Sequence, residues 1–66
     1  METRVRGVVL EAFPNVTFRV ELEDGKEIRA YLAGRLKQRF IRILIGDTVE
    51  MVKPEQSDIA RIVRRL

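Results

Sequence analysis

Sixty-six residues without a cysteine or a histidine allow one small domain, residues 1–66, that no disulfide or thiolate metal site can staple. Such a domain buries only about 60% of the surface its unfolded chain exposes. The missing imidazole removes the commonest general base, the commonest metal ligand and the usual partner of a nucleophilic serine, so most hydrolytic chemistry is excluded. Thirteen Lys and Arg against ten Asp and Glu give a net charge of +3, which is modest in total but unevenly spread.

Met1 to Arg6 contain no apolar run of signal-peptide length, and no window approaches about 20 apolar residues, so the expectation is a soluble cytoplasmic protein with no membrane partner. From Arg4 to Phe13 the chain is rich in valine and reads as a first strand, ending at Phe13-Pro14-Asn15, where proline and asparagine favour a turn. Gly7 inside that strand predicts a bulge or sharp bend, as required where one strand serves two sides of a barrel. Val16, Phe18, Val20 and Leu22 then alternate with Thr17, Arg19, Glu21 and Glu23, a period of two that predicts a strand with one buried face. Asp24-Gly25 supplies the residues of a tight hairpin. Beyond it Ile28, Ala30 and Leu32 alternate with Glu27, Arg29 and Tyr31, which completes a three-stranded meander.

Gly34 to Phe40 breaks the alternation. Leu36 and Phe40 lie four apart amid Arg35, Lys37, Gln38 and Arg39, the spacing of a short helix that would not persist alone. Ile41 to Ile45 is apolar except for Arg42, Gly46-Asp47 marks a turn, Thr48 to Lys53 reads as a strand, Pro54 to Asp58 as a loop and Ile59 to Arg64 as the last strand. Five strands with a helix between the third and fourth is the order of the OB-fold. The expected class is therefore all-β, a five-stranded OB-fold barrel whose closure removes exposed strand edges.

Catalytic and metal sites find little support. Gly7, Gly25, Gly34 and Gly46 are too widely spaced for a phosphate-binding loop, and Ser57 and the threonines have no histidine to activate them. Asp24 and Glu27 flank a turn, where solvation explains them better than acid–base work or cation binding. The expectation is a protein that is not an enzyme and uses no cofactor and no metal.

Charge distribution points instead to a polyanion. Residues 33–45 carry Arg35, Lys37, Arg39 and Arg42 with no acid, and residues 59–66 carry Arg61, Arg64 and Arg65 with none, whereas acids outnumber bases in the rest. Four cations around Phe40 would form an electropositive rim suited to phosphates, although the same pattern also fits the solvated back of a helix whose Leu36 and Phe40 face the core. Tyr31, Arg29 and Arg19 share the polar side of the central hairpin, where a ring beside arginines makes a platform for a base; a simple cross-strand packing pair is the plainer alternative. The wall made by strands 2 and 3 is where OB barrels hold oligonucleotides.

Gly7-Val8-Val9-Leu10-Glu11, Pro14-Asn15, Phe18-Arg19-Val20-Glu21-Leu22, Asp24-Gly25, Ala30-Tyr31, Gly34-Arg35 and Ile41-Arg42-Ile43-Leu44 with Gly46-Asp47 together resemble bacterial translation initiation factor one, from about Val5 to Arg65. The resemblance implies an OB-fold protein that binds ribosomal RNA at the decoding A site of the small ribosomal subunit, and a monomer is expected. It also implies contact with a small-subunit protein and cooperation with the other initiation factors. On its pattern Arg35, Lys37, Phe40 and Arg42 occupy the basic-aromatic helix and loop, Asn15 the first turn, Tyr31 the exposed ring, and Arg61 and Arg65 the basic end. Arg19, Arg39 and Arg64 complete the RNA-binding candidates.

The chain departs from that pattern at Glu55, Gln56, Ser57, Asp58, Ile59 and Ala60, where the family usually has Tyr-Asp and later a glycine, and at Arg64, where it usually has an aromatic residue. An acidic loop at the first of these would weaken RNA contacts. Two other readings share the barrel. One is a general single-stranded nucleic-acid chaperone of the cold-shock kind, which would carry more strand aromatics. The other is a designed or reconstructed scaffold whose charge serves only solubility.

Overall fold

Alternating sequence becomes strand over most of the chain. The computed structural model describes residues 2–34 and 42–66, and their regular elements are β1 (Glu2–Phe13), β2 (Thr17–Leu22), β3 (Glu27–Leu32), β4 (Thr48–Pro54) and β5 (Ile59–Arg65). The strands close into a barrel in the order β1-β2-β3-β5-β4, with β4 returning to β1. Only β3 and β5 run parallel; the other neighbours are antiparallel. This is the expected OB-like, five-stranded, all-β barrel. The helix expected over Gly34 to Phe40 lies, beyond Gly34, outside the described residues, and so do the candidates Arg35, Lys37, Arg39 and Phe40.

β1 is long because it serves two neighbours. Glu2 to Val8 pair with β4 and Gly7 to Phe13 with β2, so Gly7 and Val8 belong to both ladders. The irregularity expected at Gly7 falls instead between Val9 and Glu11. What Gly7 supplies is close approach: a Cβ there would lie 2.5 Å from both the Glu21 carbonyl oxygen and Val20 Cγ1, far inside van der Waals contact.

The inward phase of each strand fills the barrel. Val9, Phe18, Val20, Ala30, Leu32, Val49, Met51, Ala60 and Ile62 form the buried cluster, with Ile43 from the segment before β4. Burying one such larger side chain contributes about 1.5–3 kcal/mol. Val16, expected on this buried face, is exposed instead. The β1–β2 turn holds Asn15 at φ 69° and Val16 at φ 58°, as tight hairpins with two left-handed residues require. Asparagine suits that geometry, while a β-branched valine is strained in it. The β2–β3 turn follows expectation: Gly25 has φ 89°, Leu22 N donates to Lys26 O at 2.7 Å, and Asp24 Oδ1 accepts from Lys26 N at 3.0 Å.

Candidate nucleic-acid interface

Outward-facing residues of β2, β3 and β5 are set in rows by the register. Arg19, Arg29 and Ile59 are successive cross-strand partners, and so are Thr17, Tyr31, Arg61 and Val52 in the adjoining row. Neighbouring strands are about 4.8 Å apart, so the Tyr31 ring and the Arg61 guanidinium rise side by side. Tyr31 retains 40% of its surface and Ile59 49%, and Arg29 and Arg61 are exposed. Between them lies a hollow of about 150 Å³ lined by Tyr31, Ile59, Arg61, Pro54, Ser57 and Val52. Val52 is buried but stands outside the inner core cluster, so it forms the apolar floor of this external hollow. Ser57 fixes one rim, its Oγ accepting from Ile59 N at 3.0 Å.

Arg29 lies over an aromatic ring. Its Cζ lies 4.8 Å from the centroid of the Phe13 ring, a cation–π contact worth about 0.5–1 kcal/mol at an exposed site. A guanidinium over a ring still offers N–H groups to an oxygen ligand.

Arg19, an RNA-binding candidate on sequence grounds, is engaged within the barrel. Its Nη2 lies 3.1 Å from Glu11 Oε1 and its Nη1 2.6 Å from Glu27 Oε1, so both arms of the fork already hold carboxylates. The register explains why. Arg19 stands directly opposite Arg29, and like charges in that position repel unless acids are interposed. Glu11, its partner on β1, and Glu27 supply them. Asp58 joins Arg19, Glu27 and Arg29 around a neighbouring depression, which gives this side of the face an acidic border.

The remaining candidates divide into separate groups. Arg65 Nη1 donates to the Arg42 carbonyl at 3.1 Å, so the two basic segments of the sequence meet here, both side chains exposed. Arg64 faces Glu50 across β4 and β5, away from the Arg29 end of the face. Asn15 sits in the exposed turn after β1, near the end of β3 through the bond from Leu32 N to Val16 O at 3.3 Å. The structure thus brings Tyr31 and Arg61 together, joins Arg42 to Arg65, and ties Arg19 down. Sequence reading missed Phe13 and Ile59 as members of the face, and Arg4 and Arg6 on the opposite flank. The alternation Arg4-Val5-Arg6 was a visible signal for the last two, but which residue they face depends on a register that only the closed barrel defines.

Among the described residues no helix is long and apolar enough to cross a membrane. The family model described as "Translation initiation factor 1A / IF-1" matches residues 1–66. The solution structure of translation initiation factor one from the Wolbachia endosymbiont strain TRS of Brugia malayi is similar to this chain with a TM-score of 0.79 at 34% identity, over 98% of this chain and 78% of that one. The crystal structure of YjeQ from Thermotoga maritima is similar with a TM-score of 0.80 at 31% identity, over 97% of this chain but only 23% of that longer one.

Proposed function

Since the chain belongs to the translation initiation factor 1A / IF-1 family, we propose that it acts by binding ribosomal RNA at the decoding A site of the small ribosomal subunit. The observation that carries this reading is the juxtaposition of the exposed Tyr31 ring with Arg61 on adjacent strands, above an apolar floor. A base stacks on the phenol ring, a contact worth about 1–3 kcal/mol, while Arg61 and Arg29 take the flanking phosphates as charge-assisted donors. Arg42 and Arg65, joined at the far end of β5, extend the basic surface. Asn15 contributes from the first turn, and Arg35, Lys37, Arg39 and Phe40 add the basic-aromatic segment on sequence grounds alone. Arg19 positions the face through its two carboxylates and does not contact RNA. A small-subunit protein and the other initiation factors are the further partners. The work is binding, in which no covalent bond is made or broken.

Filter binding to isolated small subunits tests this reading. With about six cations meeting phosphates, raising salt from roughly 50 to 200 mM weakens association by on the order of a thousandfold, and a footprint on ribosomal RNA is confined to the decoding site. Equal affinity for unstructured RNA and for small subunits would instead identify a general single-strand chaperone, and salt-insensitive association would contradict the reading outright.

A further inference from the structure

On the flank formed by β1, β4 and β5, four arginines surround one carboxylate. Glu50 occupies the middle strand, with Arg6 as its partner on β1 and Arg64 as its partner on β5. It leans to one side: Glu50 Oε1 lies 3.1 Å from Arg4 Nη1 and Oε2 lies 4.0 Å from Arg6 Nε. Arg61 and Arg64 pair with no carboxylate among the described residues. The carboxylate is itself shielded, its side chain only 14% exposed.

Arg64 reaches this flank because of a break in the ladder. Glu50 pairs with Arg64 but Met51 with Ile62, so Val63 is an extra residue in β5. Without it, Arg61 and Arg64, three apart, would point to opposite faces of the sheet. With it, both line one cleft of about 470 Å³ together with Arg4, Glu50 and Val63, within the roughly 300–1,000 Å³ of small-ligand sites. Bulges are a recurrent means of re-aiming one side chain toward a binding site. Arg61 lines both this cleft and the Tyr31 hollow.

We propose that this cleft is a second anion subsite, in which Arg61 and Arg64 bind a phosphodiester of the RNA chain adjacent to the nucleotide stacked on Tyr31, and in which Glu50 limits the affinity. The proposal rests on the RNA-binding reading above. Two guanidinium forks on β5, without acidic partners among the described residues, supply the donors. Arg4 and Arg6, held by Glu50 about 10 Å away across two strand spacings, supply the far wall of positive charge. A polynucleotide leaving Tyr31 therefore runs over β5 toward β1, perpendicular to the strands.

The test follows the arginine Nε–H resonances of the intact protein by NMR while a dinucleoside monophosphate, which has one internal phosphodiester and no terminal phosphate, is titrated in. Parallel titrations use inorganic phosphate. Arg61 and Arg64 signals shift together with the dinucleotide, and Glu50→Gln tightens that binding roughly three- to tenfold, the Coulomb effect of one charge at about 6 Å in a medium of effective permittivity about 40–80. Arg64→Gln, with an unchanged melting temperature as its folding control, weakens it. Shifts with inorganic phosphate alone would overturn the phosphodiester assignment, and an Arg64 signal that stays still, or a Glu50→Gln protein that binds no tighter, would overturn the site. Small-subunit binding that survives these negative results leaves the decoding-site reading intact. Arg64 shifts in a protein that ignores small subunits would separate the two in the opposite sense.

Discussion

Arginine plays opposite parts on two walls of the same barrel. On the β1–β2–β3 wall Arg19 is clamped between Glu11 and Glu27, whereas on β5 Arg61 and Arg64 have no carboxylate partner among the described residues. Both walls present basic side chains to water, so composition and exposure alone would rank them alike. What separates them is which cation each neighbouring carboxylate takes. Glu11 stands opposite Arg19 and pairs with it, while Tyr31 and Val52 stand beside Arg61, and Glu50, opposite Arg64, turns instead to Arg4 and Arg6. A charge answered within the protein holds strands together; a charge left unanswered is available to a polyanion.

Gly7 belongs to both the β1–β2 and the β1–β4 ladder, and the largest expected effect is there. Gly7→Ala drives a methyl group into the Glu21 carbonyl and the Val20 side chain, and overpacking of this kind costs about 1–3 kcal/mol or more. In a domain of this size about 1 kcal/mol lowers the melting temperature by roughly 4–8 °C, so thermal unfolding followed by circular dichroism registers a clear drop. An unchanged melting temperature would mean that the barrel is not closed at this point. Tyr31→Ala comes next. Loss of the stacking ring weakens small-subunit binding by about 1–3 kcal/mol with little change in stability, because the ring is half exposed, while Tyr31→Phe retains most of the affinity; competition binding checks both.

A smaller effect runs in the opposite direction. Replacing Glu11 and Glu27 together by glutamine releases Arg19 and converts the first wall toward the second, so RNA affinity rises and the dependence of log K on log salt steepens by about 0.7–0.9, the contribution of one added phosphate contact. Weaker RNA binding by this double variant would show that Arg19 contributes only while clamped. Smallest of all is the cost of the clamp itself. Arg19 and both its partners are close to half exposed, and surface pairs contribute about 0–1 kcal/mol, so urea unfolding of Arg19→Gln shifts by no more than that.

Much of the barrel was legible beforehand because its signals are local. The alternation from Phe18 to Leu22 and from Ile28 to Leu32, and the Asp24-Gly25 turn, each follow from a few neighbouring residues and became β2, β3 and their hairpin. Val16 misled because period two continues through it, yet the turn's demand for a second left-handed residue overrides side-chain patterning. The functional face was only half legible. Tyr31 could be picked out as an outward residue from its strand phase and Arg61 as part of the basic end, but their adjacency comes from the parallel β3–β5 pairing between segments 30 residues apart. The Arg19 clamp, the Phe13–Arg29 contact and the four-arginine flank around Glu50 arise in the same way. Each depends on which residue of a distant strand lies opposite, information carried by the closed sheet as a whole.

The most direct test compares the two walls by one substitution each. Parallel salt titrations of small-subunit binding by Arg61→Gln and Arg19→Gln should show the slope for Arg61→Gln falling by about 0.7–0.9 below the parent protein and the slope for Arg19→Gln unchanged. Equal losses of slope in the two variants, or a loss confined to Arg19→Gln, would contradict the account.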